Sequence, residues 1–277
     1  MKNLYYSLVG MLAAVTMSVG ASDEKLDDYR AVRRARMKTI AERFEVHAVV
    51  EAKSVVAELV TKPVLGYTDS TRKLDESTLW LWTERKRPVA LLAVELYPEA
   101  RNGPSWLFEI VSLADTKIGV SRDDDWTWGA EKPGIVWLPV AGEMIPSENP
   151  ALQLTQARKI LQRCAAHENA AVGGRIELRA LTAPLYRYED EESGVIFGAI
   201  FAFANGTNPE VLLLVEARKS SAAKPAQWYY GFAQMTGAHV YASFDNQEVW
   251  SQKEADPPAI RDSYVNGWLK DEELGTK

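Results

Sequence analysis

Residues 61–95 recur at 182–216, and no other property of this 277-residue chain restricts its possible folds as strongly. Thr61, Pro63, Tyr67 and Asp69 meet Thr182, Pro184, Tyr188 and Asp190, and Pro88, Leu91, Leu92, Val94 and Glu95 meet Pro209, Leu212, Leu213, Val215 and Glu216. These are nine identities in 35 ungapped positions at one offset of 121, where average residue usage gives about 2 by chance. Trp80 and Trp82 fall on Phe201 and Phe203. Further along, Trp106 and Trp128 meet Trp228 and Trp250 at an offset of 122. Upstream the offset is 120: Met37, Ile40, Ala41 and Phe44 meet Ala157, Ile160, Leu161 and Cys164, a spacing that marks one apolar helix face in both copies.

Each copy therefore reads as a helix, at about 29–45 and 151–167, followed by strands. The first strand is expected near 55–67 and 175–188. Apolar runs at 78–83 and 199–204 pair with 89–97 and 211–218 across Glu84–Arg87 and Asn205–Asn208, connections too short for anything but antiparallel hairpins. Strands near 105–113, 117–121 and 126–128, with their counterparts, complete a meander whose last turns are Asp123-Asp124-Asp125 and Asp245-Asn246-Gln247. The expected fold class is α+β: two tandem copies of a helix plus antiparallel β-meander unit, related by a pseudo-two-fold. Residues 22–138 form the first copy, the Pro/Gly segment 139–150 a linker, 151–255 the second copy and 256–277 a charged appendage.

Residues 1–21 read as a secretory signal: Lys2 supplies positive charge, Leu8–Val19 the apolar stretch and Val19-Gly20-Ala21 the small residues at the cleavage point. The competing reading is a retained anchor, because 4–21 carry no charge and reach the lower length limit of a span. Cleavage leaves no stable membrane span and an exported chain, periplasmic or extracellular. Cys164 is the single cysteine, so no internal disulfide is available. A net charge of −6 excludes a nucleic-acid partner, since counterion release needs clustered Lys and Arg. The stretches Trp128…Lys132-Pro133-Gly134, Pro184-Leu185-Tyr186-Arg187-Tyr188 and Phe201-Ala202-Phe203…Glu210-Val211-Leu212-Leu213-Leu214…Glu216-Ala217-Arg218 resemble exported, uncharacterised proteins of planctomycete bacteria. That resemblance implies an exported bacterial protein and carries no chemistry.

Catalytic signatures such as Gly-x-Ser-x-Gly, the P-loop, Gly-x-Gly-x-x-Gly and Cys-x-x-Cys do not occur. His167-Glu168 begins a zinc helix motif, but Ala171 replaces its second histidine, so no metal and no cofactor is expected. Ser221-Ala222-Ala223-Lys224 has the Ser-x-x-Lys spacing without the companion elements. Cys164 falls on Phe44 and reads as a core thiol. No catalytic residue is assigned. Glu95 and Glu216 are the matched carboxylates, expected to pair with Arg43 or Arg163, or else to meet in an inter-copy cleft as paired acids. Tryptophans with aromatic partners in the other copy belong to packing, which leaves Trp126 (opposite Glu248), Trp137 and Trp268; Trp126, Trp137 and the neighbouring Asp124 are the candidate binding residues. The arginines of the first helix read as a solvated face. Because the shared residues are apolar, aromatic or Pro, the functional expectation is an exported, non-catalytic binding or envelope-associated scaffold protein whose partner is a protein, envelope component or glycan. The alternatives are a hydrolase of polysaccharide or another extracellular polymer, and a carrier of lipid or small hydrophobes.

Overall fold

In the computed structural model of the chain, residues 17–69, 72–98, 105–130, 132–142, 144–170, 174–219, 225–253 and 263–270 are described. Residues 1–16 of the expected signal segment 1–21 and the Ser221–Lys224 tetrad lie outside them.

The α+β assignment is corrected by the structure, which is mostly antiparallel β-sheet with two helices and a curled half-barrel sheet. In chain order the elements are α1 (Met17–Glu42), β1 (Phe44–Val50), β2 (Lys53–Val56), β3 (Glu58–Leu59), β4 (Leu65–Asp69), β5 (Leu74–Glu84), β6 (Arg87–Tyr97), β7 (Ser105–Ser112), β8 (Ile118–Arg122), β9 (Trp126–Ala130) and β10 (Leu138–Pro139). They continue with α2 (Pro150–Gln162), β11 (Cys164–Ala170), β12 (Gly174–Asp190), β13 (Val195–Asn205), β14 (Asn208–Arg218), β15 (Gln227–Gln234), β16 (His239–Phe244), β17 (Gln247–Gln252) and β18 (Tyr264–Lys270). One sheet runs β10-β15-β14-β13-β12-β11-β16-β17 without a break. The other half of the chain makes two sheets, β18-β7-β6-β5-β3 with β4 also on β5, and β2-β1-β8-β9.

The helices end earlier than their apolar spacing suggests. Met37, Ile40 and Ala41 are buried helix residues, but Phe44, fourth of the periodic set, already opens β1. Phe44, Val46 and Ala48 then alternate inward, a period-2 pattern that the helix-like spacing ending on Phe44 conceals. β11 begins at Cys164 in the same way. α2 starts cleanly because the Asn149 side chain accepts from the Ala151 amide at 2.9 Å and Pro150 occupies the first turn.

Ladder registers recur at the offsets read from the sequence. Ser77↔Glu95, Trp80↔Leu92 and Thr83↔Pro88 of β5–β6 have counterparts in Gly198↔Glu216, Phe201↔Leu213 and Ala204↔Pro209 of β13–β14. The connecting loops suit their hairpins: Arg85 and Lys86 both take positive φ, as two-residue turns between twisted strands require.

These central strands are buried on both faces, which is why they read as apolar runs rather than alternations. Leu79, Leu81, Leu91 and Ala93 face Ile200, Ala202, Leu212 and Leu214 in a core shared by the two large sheets, which therefore stack face to face. Trp80, Trp82, Leu92 and Val94 point the other way, onto α1, β1, β8 and β9. Phe201, Phe203, Leu213 and Val215 do the same toward α2, β11 and β16. Each such fully enclosed side chain contributes about 1.5–3 kcal/mol.

The expected appendage at the C-terminus contributes a strand. β18 pairs with β7 from Tyr264↔Val111 to Lys270↔Ser105, and Tyr264, Val265 and Leu269 are buried. Where the expected first copy meets the expected linker, Leu138 and Pro139 pair with β15 as β10. Thus the edge of each large sheet beside β7 or β15 is covered by a segment from outside the recurring stretch.

Candidate functional site

Two groups of buried carboxyls lie between the stacked sheets, and each is anchored by the same pair of side chains. Tyr67 of β4 donates to Glu95 of β6 at 2.7 Å, and Tyr188 of β12 donates to Glu216 of β14 at 2.7 Å. The four residues are matched at 121 in the sequence. Glu95 and Glu216 are 1% and 0% exposed, so neither faces an open cleft as paired hydrolytic acids would. Burial, followed by the adjacent carboxyl, raises both tyrosine hydroxyls well above their ordinary range, so they remain donors.

The neighbours of the two carboxyls differ. Glu216 receives the Nε groups of Arg218 and Arg87, the latter at 3.2 Å, and Arg87 also reaches Asp115. Arg218 lies 4.2 Å from the Trp137 ring centroid and 5.0 Å from that of Tyr229. Glu95 instead accepts from the Tyr97 hydroxyl at 3.1 Å. Tyr97 stands at the position matched to Arg218, and Asn208 at the position matched to Arg87, so both guanidiniums are missing from this end.

More acid gathers there. Glu109 of β7 sits opposite Ala93 on one side and Asn266 of β18 on the other, and its Oε1 accepts the Tyr264 hydroxyl. Glu210 of β14 is 2.7 Å from an Arg72 guanidinium nitrogen, but neither carboxylate oxygen receives a well-aligned hydrogen bond. Burial raises the pKa of Glu95, and burial and Glu95 together raise Glu109 well above the carboxylate range. Glu210 is pushed up to about 8 by burial, against the opposing pull of Arg72. At neutral pH this end is held together by carboxylic acids as well as by ions, because several bare carboxylates cannot share one cation out of water.

Sequence matching located Glu95 and Glu216 but not their partners. Arg43 and Arg163, the expected cations, instead clamp the turns beyond the helices: each places Nε 2.9 Å from the carboxylate of Asp123 or Asp245. Arg72, Arg87, Glu109 and Glu210 were missed because each belongs to one half alone, their matched positions being Ser193, Asn208, Gly231 and Val89. The available signal was a lone charge inside an apolar strand, as in Leu107-Phe108-Glu109-Ile110-Val111.

The candidate binding residues are not brought together. Trp126 is half-buried with its edge against Phe44 and Phe108, at 5.9 and 5.3 Å between centroids, in the outer core under α1. Asp124 is exposed in the preceding turn. Trp137 packs on the shared core beside Arg87 and Arg218. His167 stacks on Tyr241 at 4.6 Å, and burial followed by Arg175 lowers its pKa, while Glu168 points inward and accepts from Asn205 at 2.9 Å. They lie on a strand, where adjacent residues face opposite ways, so the half-motif for zinc is an accident of spelling. Among the described residues no cluster of three or more His, Cys, Asp or Glu has metal-site geometry. Of the basic helix, Arg33 and Arg34 reach Asp75 and Glu76.

A groove of about 620 Å³ opens at the start of α2, where Ile145, Pro146 and Pro150 face Ile196, Pro225 and Ala226, with Glu148, Glu189 and Lys219 on its charged rim. Its wall is held in place by two glutamines of α2. Gln156 donates to the Ile145 carbonyl and accepts from the Ser147 amide, and Gln153 donates to the Ser147 carbonyl, all at 2.8 Å. The chain matches no protein-family model, no curated protein and no solved structure at significant similarity.

Proposed function

We propose that this chain is an exported, non-catalytic binding protein that takes an extended segment of another protein in the groove at the start of α2. The observation that carries the reading is the groove itself: an open concavity that sets aliphatic and proline side chains beside Glu148, Gln153, Glu189 and Lys219. Sugar recognition would want an exposed aromatic face, and none of the residues lining the groove is aromatic. Two acids and one lysine on the rim favour a segment carrying an aliphatic side chain next to a basic one. The hydrolase alternative draws no support from Glu95 and Glu216, which are enclosed and already hydrogen-bonded to tyrosines.

The test is selection of phage-displayed linear peptides on the whole chain. Enriched peptides are expected to pair an aliphatic with a basic residue, and to lose binding to Ile145→Asp and to the double variant Glu148→Lys, Glu189→Lys, with melting unchanged. Peptides that bind these variants as well as wild type would overturn the assignment, as would a glycan-array signal abolished by Trp126→Ala.

A further inference from the structure

β18 holds to the rest of the molecule along one side only. It is the edge strand of its sheet, paired with β7 alone, and it meets the protein through the side chains of Tyr264, Val265 and Leu269, the backbone of Gly267 and the Trp268 ring, 5.2 Å from that of Tyr97. Gly267 lies against the Phe108 ring so closely that an added Cβ would stand 2.6 Å from it. Tyr264 is the polar link: 1% exposed, it donates to Glu109 and accepts from Asn266 at 3.3 Å. On its outer side Glu109 is thus covered by a single strand of seven residues.

We infer that Glu109 is a proton-operated latch for the C-terminal strand: with its proton it rests buried against Tyr264 and β18 stays seated on β7, and without it the carboxylate, although the better acceptor for Tyr264, draws in water and β18 comes away. The charge balance around Glu109 sets the direction. Tyr67 from β4, Glu95 and Tyr97 from β6, Glu210 from β14 and Tyr264 from β18 face it, and the cation in this set is Arg72, already 2.7 Å from Glu210. An ionised Glu109 therefore gains an acidic neighbour in Glu95 and no cation of its own. Water is the remaining source of stabilisation, and lifting one edge strand admits it, at the cost of withdrawing Tyr264 from the shared core and Val265 and Leu269 from the outer one. Release leaves Ser105–Ser112 as an open sheet edge able to pair with another extended segment. The strand is closed in acid and opens as pH rises, because the closed form holds the proton more tightly than the open one.

Hydrogen exchange of the full chain, read by mass spectrometry from about pH 6 to about pH 9 and corrected for intrinsic rates, measures the latch directly. Protection of the β18 amides is expected to fall about tenfold per pH unit once Glu109 ionises, and to lie well below that of the β13–β14 amides, which exchange by opening of the core. Glu109→Gln, which can still accept from Tyr264, is expected to hold β18 protected throughout. Wild-type protection that does not change with pH overturns the latch. So does a slope that survives Glu109→Gln, or one removed by Glu210→Gln and not by Glu109→Gln. Should Glu109→Gln fail to fold, Tyr264→Phe decides: at acid pH it is expected to lower β18 protection at least about fivefold and leave the core alone, and unchanged β18 protection refutes the link.

Discussion

Replacing Glu210 with Gln should make the protein less sensitive to alkali. The carboxyl is 0% exposed and its pKa lies at about 8, against 4.5 for an ordinary glutamate, with burial as the main cause. The folded chain therefore binds this proton more tightly than the unfolded chain does. Its stabilising effect is complete below about pH 4.5 and is lost progressively as pH rises to about 8. Taken at face value the interval corresponds to about 5 kcal/mol, and allowing the site to relax and admit water on ionisation leaves about 2–3 kcal/mol. Urea unfolding at a series of pH values between about 5 and 8 gives the free energy at each. Wild type is expected to lose stability with a slope approaching 1.4 kcal/mol per pH unit for this proton alone, with Glu95 and Glu109 adding to it. Glu210→Gln should subtract about one proton's worth of slope. It also deprives Arg72 of an anionic partner at 2.7 Å, which lowers stability by about 1–3 kcal/mol where the pair is charged, so the slope and not the absolute value is diagnostic. Identical slopes in the two proteins, or stability that rises between about pH 5 and 8, would refute the reasoning.

Tyr97→Arg places a guanidinium beside Glu95 at the position matched to Arg218; it should raise stability at about pH 8 by about 1–2 kcal/mol relative to the effect at about pH 5, read from the same urea curves. Gly134→Ala should lower stability by about 3 kcal/mol or more, since its Cβ would fall 1.8 Å from the Ser112 carbonyl oxygen; Gly66→Ala, whose nearest contact is 3.9 Å, should stay within about 1 kcal/mol. Both are measured by thermal or urea unfolding. Cys164, buried and with its thiol pushed up to about 12 by burial, should resist iodoacetamide at about pH 8 in the folded chain and react once urea unfolds it, as mass spectrometry would show.

The parts of the fold legible in the sequence were those fixed by local pattern. The hairpins β5–β6 and β13–β14 follow from apolar runs interrupted by polar turns, and their register follows from the matched residues. What escaped was decided by tertiary context. A helix that passes into a strand within two residues, as α1 does into β1, lets buried Phe44 satisfy both periods at once. The expected strand at 175–188 matches the long segment β12, whereas its counterpart, expected as one strand at 55–67, is divided into β2, β3 and β4. β18 escaped because charged flanks masked the short alternation Tyr264-Val265-Asn266-Gly267-Trp268-Leu269, and because its pairing partner is more than 150 residues away. The carboxyl clusters were half legible. Matching finds what two copies keep, so it pointed to Glu95 and Glu216 and was blind to the residues that make their surroundings unlike.

That unlikeness has a physical consequence independent of any ligand. Both ends of the sheet interface keep one tyrosine bonded to one glutamate at 2.7 Å. At Glu216 the charge is met by Arg87 and Arg218, and the cluster is balanced by cations. At Glu95 the matched positions hold Asn208 and Tyr97, and Glu109 and Glu210 bring two further acids within reach of Arg72. Low-dielectric surroundings do not tolerate that excess of negative charge, so protons must make up the difference. The same backbone frame therefore carries one end neutralised by arginine and one neutralised by hydrogen ions. The second responds to pH near neutrality, and it is the end on which the C-terminal strand rests.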